Sequence, residues 1–289
     1  MKLESDGNIR ANRHQIKTMN GEVIYVISDK KYESLIKSLK DLGSVVIAFS
    51  GGVDSTFLMK AAKEALEDKV LAVTIVSPYI PKWEIEEAKE LVKELNVKHQ
   101  LIEVPVILED IKYNPDDRCY LCKSFVFSKI IELQKEKGFK YVVDGTNLDD
   151  TKDYRPGMKA LKELKVISPL LQNNITKEDI RRFSKELGLS TWNKPAYACL
   201  LSRIPYNQEI KFEDLRKIED AEIHLMKLGF KGVRVRSHDD LARIEVQRQD
   251  RKRICDEKLM DEICERFKEL GFKYVTLDLQ GYKMGSLNK

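Results

Sequence analysis

Two features of this 289-residue chain carry residues able to do chemistry: one glycine-rich loop and three cysteines. The loop is Ser50-Gly51-Gly52-Val53-Asp54-Ser55, directly after the apolar run Val45-Val46-Ile47-Ala48-Phe49. A β-branched run of that kind reads as a strand buried on both faces. Phe57-Leu58-Met59-Lys60-Ala61-Ala62 then starts an amphipathic helix. Gly51 and Gly52 permit positive φ and let an anion approach the backbone closely. The unpaired N–H groups of the helix's first turn point at that anion, with the helix dipole behind them. Ser50, Ser55 and Thr56 add hydroxyl donors. A carboxylate beside phosphates repels them unless a cation lies between, so Asp54 reads as a Mg²⁺ ligand. The candidate phosphate contacts are therefore Ala48, Ser50, Gly51, Gly52, Val53, Asp54 and Ser55. The Gly-x4-Gly-Lys-Ser/Thr spacing of a Walker A loop is absent.

A second stretch, Tyr141 to Gly157, runs from a strand into Gly145-Thr146-Asn147 and then Asp149, Asp150, Asp153 and Arg155. Gly145 permits close backbone approach, and Asn147 offers both a donor and an acceptor. Asp149 and Asp150 have the chemistry for Mg²⁺, and Arg155 for clamping a phosphate or carboxylate. Taken alone, the segment reads equally well as an Asp-rich solvated loop. The cysteines lie in Arg118-Cys119-Tyr120-Leu121-Cys122-Lys123 and in Lys194-Pro195-Ala196-Tyr197-Ala198-Cys199. Cys-x-x-Cys puts two thiols within reach of one metal or of each other, and Arg118 and Lys123 are expected to lower their pKa values. Spacing leaves zinc, an iron–sulfur cluster and a redox dithiol open. A structural zinc site needs four ligands. Three Cys without an obvious fourth suit a 4Fe–4S cluster with one open iron. Cys255 and Cys264 read as filler or surface thiols on one helix over 251–270.

The elements that must position these residues alternate. Strands over 45–49, 70–76, 99–104 and 141–143 are separated by helices over 31–42, 57 onward, 83–95 and 125–137. That predicts an α/β fold with a doubly wound parallel sheet, whose ligands bind at the C-terminal ends of the strands. Val166 to Leu171 reads as a further strand, and Thr176-Lys-Glu-Asp179 as a capping box for a helix through Leu187. From Phe212 the pattern changes. A helix, Leu-Gly-Phe-Lys and a strand occur twice, about 42 residues apart. We expect a second, smaller α+β domain around an antiparallel sheet with one wet face. The division is a polar extension over 1–30, a nucleotide-binding domain over 31–193 and a C-terminal substrate or oligomerisation domain over 194–289. Within the extension, Val23 to Ile27 reads as an added edge strand or a partner contact. The net charge is only +4 despite 34% charged residues, so no global basic field argues for nucleic acid. No apolar run reaches membrane-spanning length, no signal-peptide core is visible, and five cysteines do not make a disulfide framework. A cytoplasmic protein without membrane partners is expected.

The loop at 50–55 resembles the pyrophosphate loop of N-type ATP pyrophosphatases, which cleave ATP between the α and β phosphates and adenylylate a substrate. Together with RCYLCK at 118–123, DGTNLDDTKDYRPG at 144–157, KPAYACLLSRIPY at 194–206, RVRSHDDLARIE at 234–245 and DLQGYKMGS at 278–286, it resembles the LarE family. Those are ATP-dependent sulfur transferases that mature the nickel-pincer cofactor of lactate racemase. The likeness runs from about residue 31 to the end. It implies ATP, Mg²⁺ and a nucleotide-like acceptor, pyridinium-3,5-biscarboxylic acid mononucleotide, whose carboxylate is adenylylated and then thiolated. In some members the cysteine matching Cys199 gives up its own sulfur. In others three cysteines hold a 4Fe–4S cluster that carries an extra sulfide. With Cys119 and Cys122 beside Cys199, this chain is similar to the second kind. The acceptor's phosphate needs cations, and Arg203, Arg234, Arg236 and Arg243 lie in the matching segments. A solvated strand face is the competing reading for Arg234 and Arg236, and ordinary burial competes with ring stacking for Trp83 and Trp192. A separate sulfide source and a homo-oligomer are also expected.

Rival functions share parts of this pattern. A tRNA thiolation enzyme also joins such a loop to three cysteines, but calls for a basic surface. An amidating ligase of the NAD or GMP synthetase type needs no placed cysteines. A nucleotide sensor does not need Asp54 or the Asp149/Asp150 pair.

Overall fold

The structure, a computed structural model, describes residues 13–17, 23–152 and 156–283. Arg155 and Asp153 thus lie outside the described residues. An antiparallel hairpin of β1 (Arg13–Lys17) and β2 (Val23–Ile27) comes first. It is followed by α1 (Lys30–Leu42), β3 (Val45–Ala48), α2 (Val53–Leu66), β4 (Val70–Val76), α3 (Lys82–Glu94), β5 (Lys98–Glu103), α4 (Arg118–Glu136) and β6 (Tyr141–Val143). Strands β5-β4-β3-β6 form one parallel sheet in that order, with Val45 opposite Val70 on one side and Tyr141 on the other.

The all-apolar sequence of β3 follows from its central place. Side chains alternate across a strand. Val45 and Ile47 enter a core with Leu35 and Leu39 of α1, Phe57 and Leu58 of α2, and Ile180 and Phe183. Val46 points the other way, into a core with Phe127, Ile130 and Leu133 of α4. Both faces are covered, so the strand has no wet side and no polar residue.

Three elements depart from the pattern read in the sequence. The expected strand over 166–171 shrinks to one parallel bridge between Val143 and Ile167. Pro169 has no N–H to give a ladder, and instead opens the short α6 (Pro169–Gln172), after α5 (Gly157–Glu163). Helix α4 begins seven residues earlier than expected, so Cys119 and Cys122 sit in its first turns. The long C-terminal helix is broken into α9 (Arg251–Ile254) and α10 (Glu257–Glu269), because Asp256 caps the second piece by accepting from Leu259 N at 3.1 Å. The capping box, by contrast, forms as read: Thr176 and Asp179 cap α7 (Lys177–Glu186) reciprocally.

The second sheet is β7 (Arg234–His238), β8 (Leu241–Glu245) and β9 (Tyr274–Leu277), over α8 (Phe212–Lys227) and α10. It is mixed, not antiparallel: β7 and β8 run antiparallel, β8 and β9 parallel. The connection after β8 is helical, and a helical crossover returns the chain in the same direction. Nor is its charged face wet, since Arg234 and Arg236 are buried. A separate core fills this domain with Phe230, Val235, Ile244, Phe267 and Phe272. A fourth cluster joins Tyr79 and Ile111 to Leu200, Leu201, Ile204, Leu215 and Ile218.

The central core should dominate stability. Phe57 is fully buried and stacks on Phe183 at 5.7 Å. Phe57→Ala is expected to cost about 3–5 kcal/mol, read as a lower urea midpoint at unchanged slope. Tyr274→Ala, at a residue 65% exposed, should leave the midpoint within experimental spread. Equal midpoints for the two variants would refute this packing.

Candidate functional site

The loop after β3 meets the loop after β6 at the C-terminal edge of the sheet. Helix α2 starts at Val53 behind Gly52, which supplies no side-chain cap. Its first-turn N–H groups are therefore left for a ligand. Gly51 has φ +67°, and a side chain there would meet Ala88 at 3.3 Å. Gly145 is the tighter constraint: a Cβ would lie 3.1 Å from Ser55 N and 3.3 Å from Asp54 Cβ. Ser50 N donates to Ser55 Oγ at 3.4 Å, and the two hydroxyls are 3.2 Å apart.

Asp54 accepts from Lys177 Nζ through both oxygens, at 2.7 and 2.5 Å. Lys177 is the first residue of α7, and its own N–H donates to Asp149 Oδ2 at 2.8 Å. Burial raises the Asp54 pKa, Asp150 pushes the same way, and Lys177 and Arg181 oppose. Asp150 accepts from Asn147 N at 3.0 Å. Asn147 itself is buried and accepts from Asp149 N at 2.9 Å. Lys152 and the Lys177 N–H hold the Asp149 carboxyl below its ordinary range. Of the predicted polar residues, Asp54 and Asp150 face the cavity described next, while Asn147 and Asp149 shape the loop that carries Asp150.

That cavity has a volume of about 520 Å³. Ala48, Ser50, Gly52, Asp54, Ser55 and Gly145 line one side of it. Cys122 and Lys123 from α4 line another, with Tyr79, Glu84, Tyr197 and Cys199. A wider, open hollow of about 850 Å³ at the α9–α10 break, beside Lys252, Cys255 and Lys258, contains none of the motif residues.

Cys199 reaches the cavity because Leu200 N donates to Tyr79 O at 2.8 Å, pinning its segment to the turn after β4. Cys119, one helical turn before Cys122, is exposed. Burial pushes the Cys122 thiol up to about 12, with charge on Cys199 and Cys119 adding to it, against Tyr79 and Lys123. Burial and Cys119 likewise raise Cys199, against Arg118 and Arg203. The expected lowering by Arg118 and Lys123 is thus overturned for Cys122: desolvation outweighs the nearby cations. The three sulfurs are close enough to feel one another. Even so, among the described residues no three His, Cys, Asp or Glu side chains gather tightly enough to hold a metal ion. Tyr79 is 2% exposed, and its hydroxyl lies against Ser77 and Cys122 without closing a hydrogen bond of good geometry.

The four arginines lie in the C-terminal domain, off the cavity wall. Arg203 is 1% exposed and grips Glu222 through Nε and Nη2, each at 2.9 Å. Its Nη1 donates to the carbonyls of Ala198 (2.5 Å) and Cys199 (3.1 Å). Arg236 holds Glu245 the same way, at 2.9 Å twice, and also donates to Ser202 O. Arg234 donates to Val233 O (2.8 Å) and Ala196 O (2.7 Å) and packs against the rings of Tyr197 and Tyr282. Arg243 is half-buried between Glu245 and Asp278. The solvated-face reading of Arg234 and Arg236 therefore fails.

Four residues at the site were not singled out from the sequence. Lys177 and Tyr79 carried no signal beyond their places at a cap and a turn. Lys194 donates to Gly51 O (2.8 Å) and Glu87 (2.7 Å), tying the cysteine segment to the glycine loop. Glu84 presents a buried Oε1 with no hydrogen-bond partner.

A family model described as NAD synthase matches residues 29–121, which contain the glycine loop and the strands around it. An uncharacterized protein of Synechocystis is 40% identical over 262 residues, covering 90% of this chain and 98% of its own. The pyridinium-3,5-bisthiocarboxylic acid mononucleotide synthase of Lactiplantibacillus plantarum is 38% identical over 261 residues, covering 89% and 94%. An uncharacterized protein of Methanocaldococcus jannaschii is 37% identical over 258 residues. With that identity along nearly the whole of both chains, on a PP-loop α/β fold with a second small sheet, the chain belongs to the LarE family of sulfur-transferring synthases.

Proposed function

We propose that the chain is an ATP-dependent sulfur transferase that adenylylates a carboxylate of pyridinium-3,5-biscarboxylic acid mononucleotide and replaces one of its oxygens with sulfur. The observation carrying this reading is the single cavity that holds both the bare N-terminus of α2 and the thiols of Cys122 and Cys199. Activation and sulfur delivery need to occur within a few ångströms of each other, because an acyl adenylate exposed to water hydrolyses.

ATP lies with its phosphates at Ser50, Gly51, Gly52, Val53 and Ser55, beside Ala48, Gly145 and Asn147. Mg²⁺ would be held by Asp54, with Asp150 beside it in the cavity and Asp149 in the loop behind. The Lys177 ammonium on both oxygens of Asp54 supports this, since it occupies the place of a cation. Arg155 is proposed as a further clamp. An oxygen of the acceptor carboxylate attacks the α-phosphorus, the bond to the bridging oxygen breaks, and pyrophosphate leaves. Sulfide then attacks the acyl carbon and AMP departs. Of the arginines expected to meet the acceptor's phosphate, the half-buried Arg243 is proposed as the contact, while the buried Arg203, Arg234 and Arg236 hold the segments around it through Glu222, Glu245 and backbone carbonyls. Glu222 and Glu245 hold Arg203 and Arg236 rigid.

Cys119, Cys122 and Cys199 are proposed to hold a 4Fe–4S cluster. The donor chemistry supports it: the soft thiols of Cys122 and Cys199 face one cavity, Cys119 lies one helical turn from Cys122, and bound metal would relieve their mutual repulsion. Such a cluster would supply iron to carry sulfide from an external source. The thiols must lose their protons to bind it, so loading should release protons. We also propose a cytoplasmic homo-oligomer.

Substrate-dependent turnover should yield AMP and pyrophosphate, and Asp54→Asn should abolish pyrophosphate release while the protein melts as before. ADP and phosphate as products would end the assignment. Replacing Cys119, Cys122 or Cys199 by Ala should remove bound iron and repeated sulfur transfer together, while Cys255→Ala and Cys264→Ala change neither. Iron and sulfide analysis after anaerobic purification reads the first effect. Mass spectrometry reads the alternative: Cys199 lighter by one H₂S after turnover, without iron, would make the protein a single-use sulfur donor.

A further inference from the structure

We infer that Glu84 is the counter-charge for a permanently cationic ring in the acceptor. The inference rests on the proposed acceptor and adds how the site tells that ring from a neutral one.

Four carboxyl groups line the cavity: Asp54, Glu84, Asp144 and Asp150. Asp54 accepts from Lys177, Asp144 from Ser168 (2.6 Å) and Thr146, and Asp150 from Asn147 N. Glu84, in the first turn of α3, differs. Its Oε1 is buried without a partner. A buried carboxylate oxygen left unpaired is costly. The group is therefore either protonated or waiting for a charge.

The cations that reach Glu84 through space are engaged elsewhere. Lys194 donates to Glu87 and Gly51 O, and Arg203 is locked to Glu222. Arg234 spends its donors on Val233 and Ala196 carbonyls between two tyrosine rings. Burial pushes the Glu84 carboxyl up to about 7; Lys194, Arg203 and Arg234 pull it down, and Glu222 pushes it up. These come from the 194–199 segment, the turn after Cys199, β7 and α8. The group is thus poised between neutral and charged near pH 7.

A quaternary pyridinium nitrogen suits this place. It has no N–H, so it needs no hydrogen-bond geometry, and it cannot shed its charge. Opposite an ionised carboxylate in a poorly solvated wall it gains more than in water. A cation at the site lowers the pKa of Glu84 and drives its proton off. Below about pH 7 that proton must be displaced, so binding weakens; above it Glu84 is already charged and affinity levels off.

The test is calorimetry on the full chain with two probes. One is nicotinic acid mononucleotide, whose ring is cationic. The other is its carbon-linked benzoate isostere, whose ring is neutral. The parent should prefer the cationic probe by roughly tenfold or more at about pH 8, a margin on the scale of one charged contact, and that margin should shrink at about pH 6. Glu84→Gln, with an unchanged melting temperature, should bind both probes alike, and Glu84→Asp should restore part of the preference. Equal binding of the two probes by the parent, or a preference that survives in Glu84→Gln, would overturn the inference. If the parent binds neither probe at any pH, the pyridinium acceptor itself is wrong and the inference falls with it.

Discussion

The site depends on one close approach: Gly145 against the first turn of α2. A side chain at residue 145 would press on Ser55 N and Asp54. The two loops can touch only because β3 and β6 are direct neighbours in the sheet, in a register that pairs Ile47 with Val143. That register is enforced from both sides by cores that tolerate no polar residue on β3. The bare helix N-terminus, the carboxylates that flank it and the cavity in front of it all follow from that contact. A larger residue at 145 would separate the loops and open the pocket in front of α2.

The cysteine segment is held by a different kind of force. Arg203 lies inside the protein and grips the carbonyls of Ala198 and Cys199 while Glu222 neutralises it. Burying such a pair gains little net stability, because desolvation offsets the attraction. What it supplies is direction. Two fixed donors set the backbone around Cys199 more narrowly than apolar contacts would. Glu222 also accepts from Val235 N at 3.0 Å, so the same carboxylate ties β7 to the cysteine segment. Lys194 completes the link on the other side by donating to Gly51 O. The thiol segment is thereby fastened to both the glycine loop and the second domain.

Much of this was legible in the chain. Period and composition gave away β3, β4, α1 and α7, because burial on both faces or on one stripe leaves a plain pattern. The glycine loop and the cysteines were legible as chemistry because few other roles call for those residues at that spacing. Other features were hidden for physical reasons. The strand at 166–171 looks apolar enough, but Pro169 decides it. The helix break at Cys255 depends on one capping aspartate inside a sequence with good helix propensity. Arg234 and Arg236 alternate with valine as a solvated strand would, and only the packing of residues 196–203 over that face buries them. Glu84 and Lys177 gave no local sign, since their importance comes from segments far away in sequence.

The cavity's titratable groups share one trait. Burial is the first cause of every shift, and it drives each group toward its neutral form: Asp54 upward, Glu84 to about 7, Cys122 to about 12, Cys199 upward. The Tyr79 hydroxyl, beside Cys122, is pushed up as well. A pocket built this way holds less charge at rest than its residue types suggest. In the proposed function charge arrives with the ligands: phosphates and their cation at α2, metal or sulfide at the thiols, a cationic ring at Glu84. In a poorly solvated pocket each arriving charge acts on its partner with little screening, so the strength of the contact is kept for the loaded state. The same desolvation that makes the thiols poor nucleophiles in the empty protein makes them strong ligands once a cation displaces their protons.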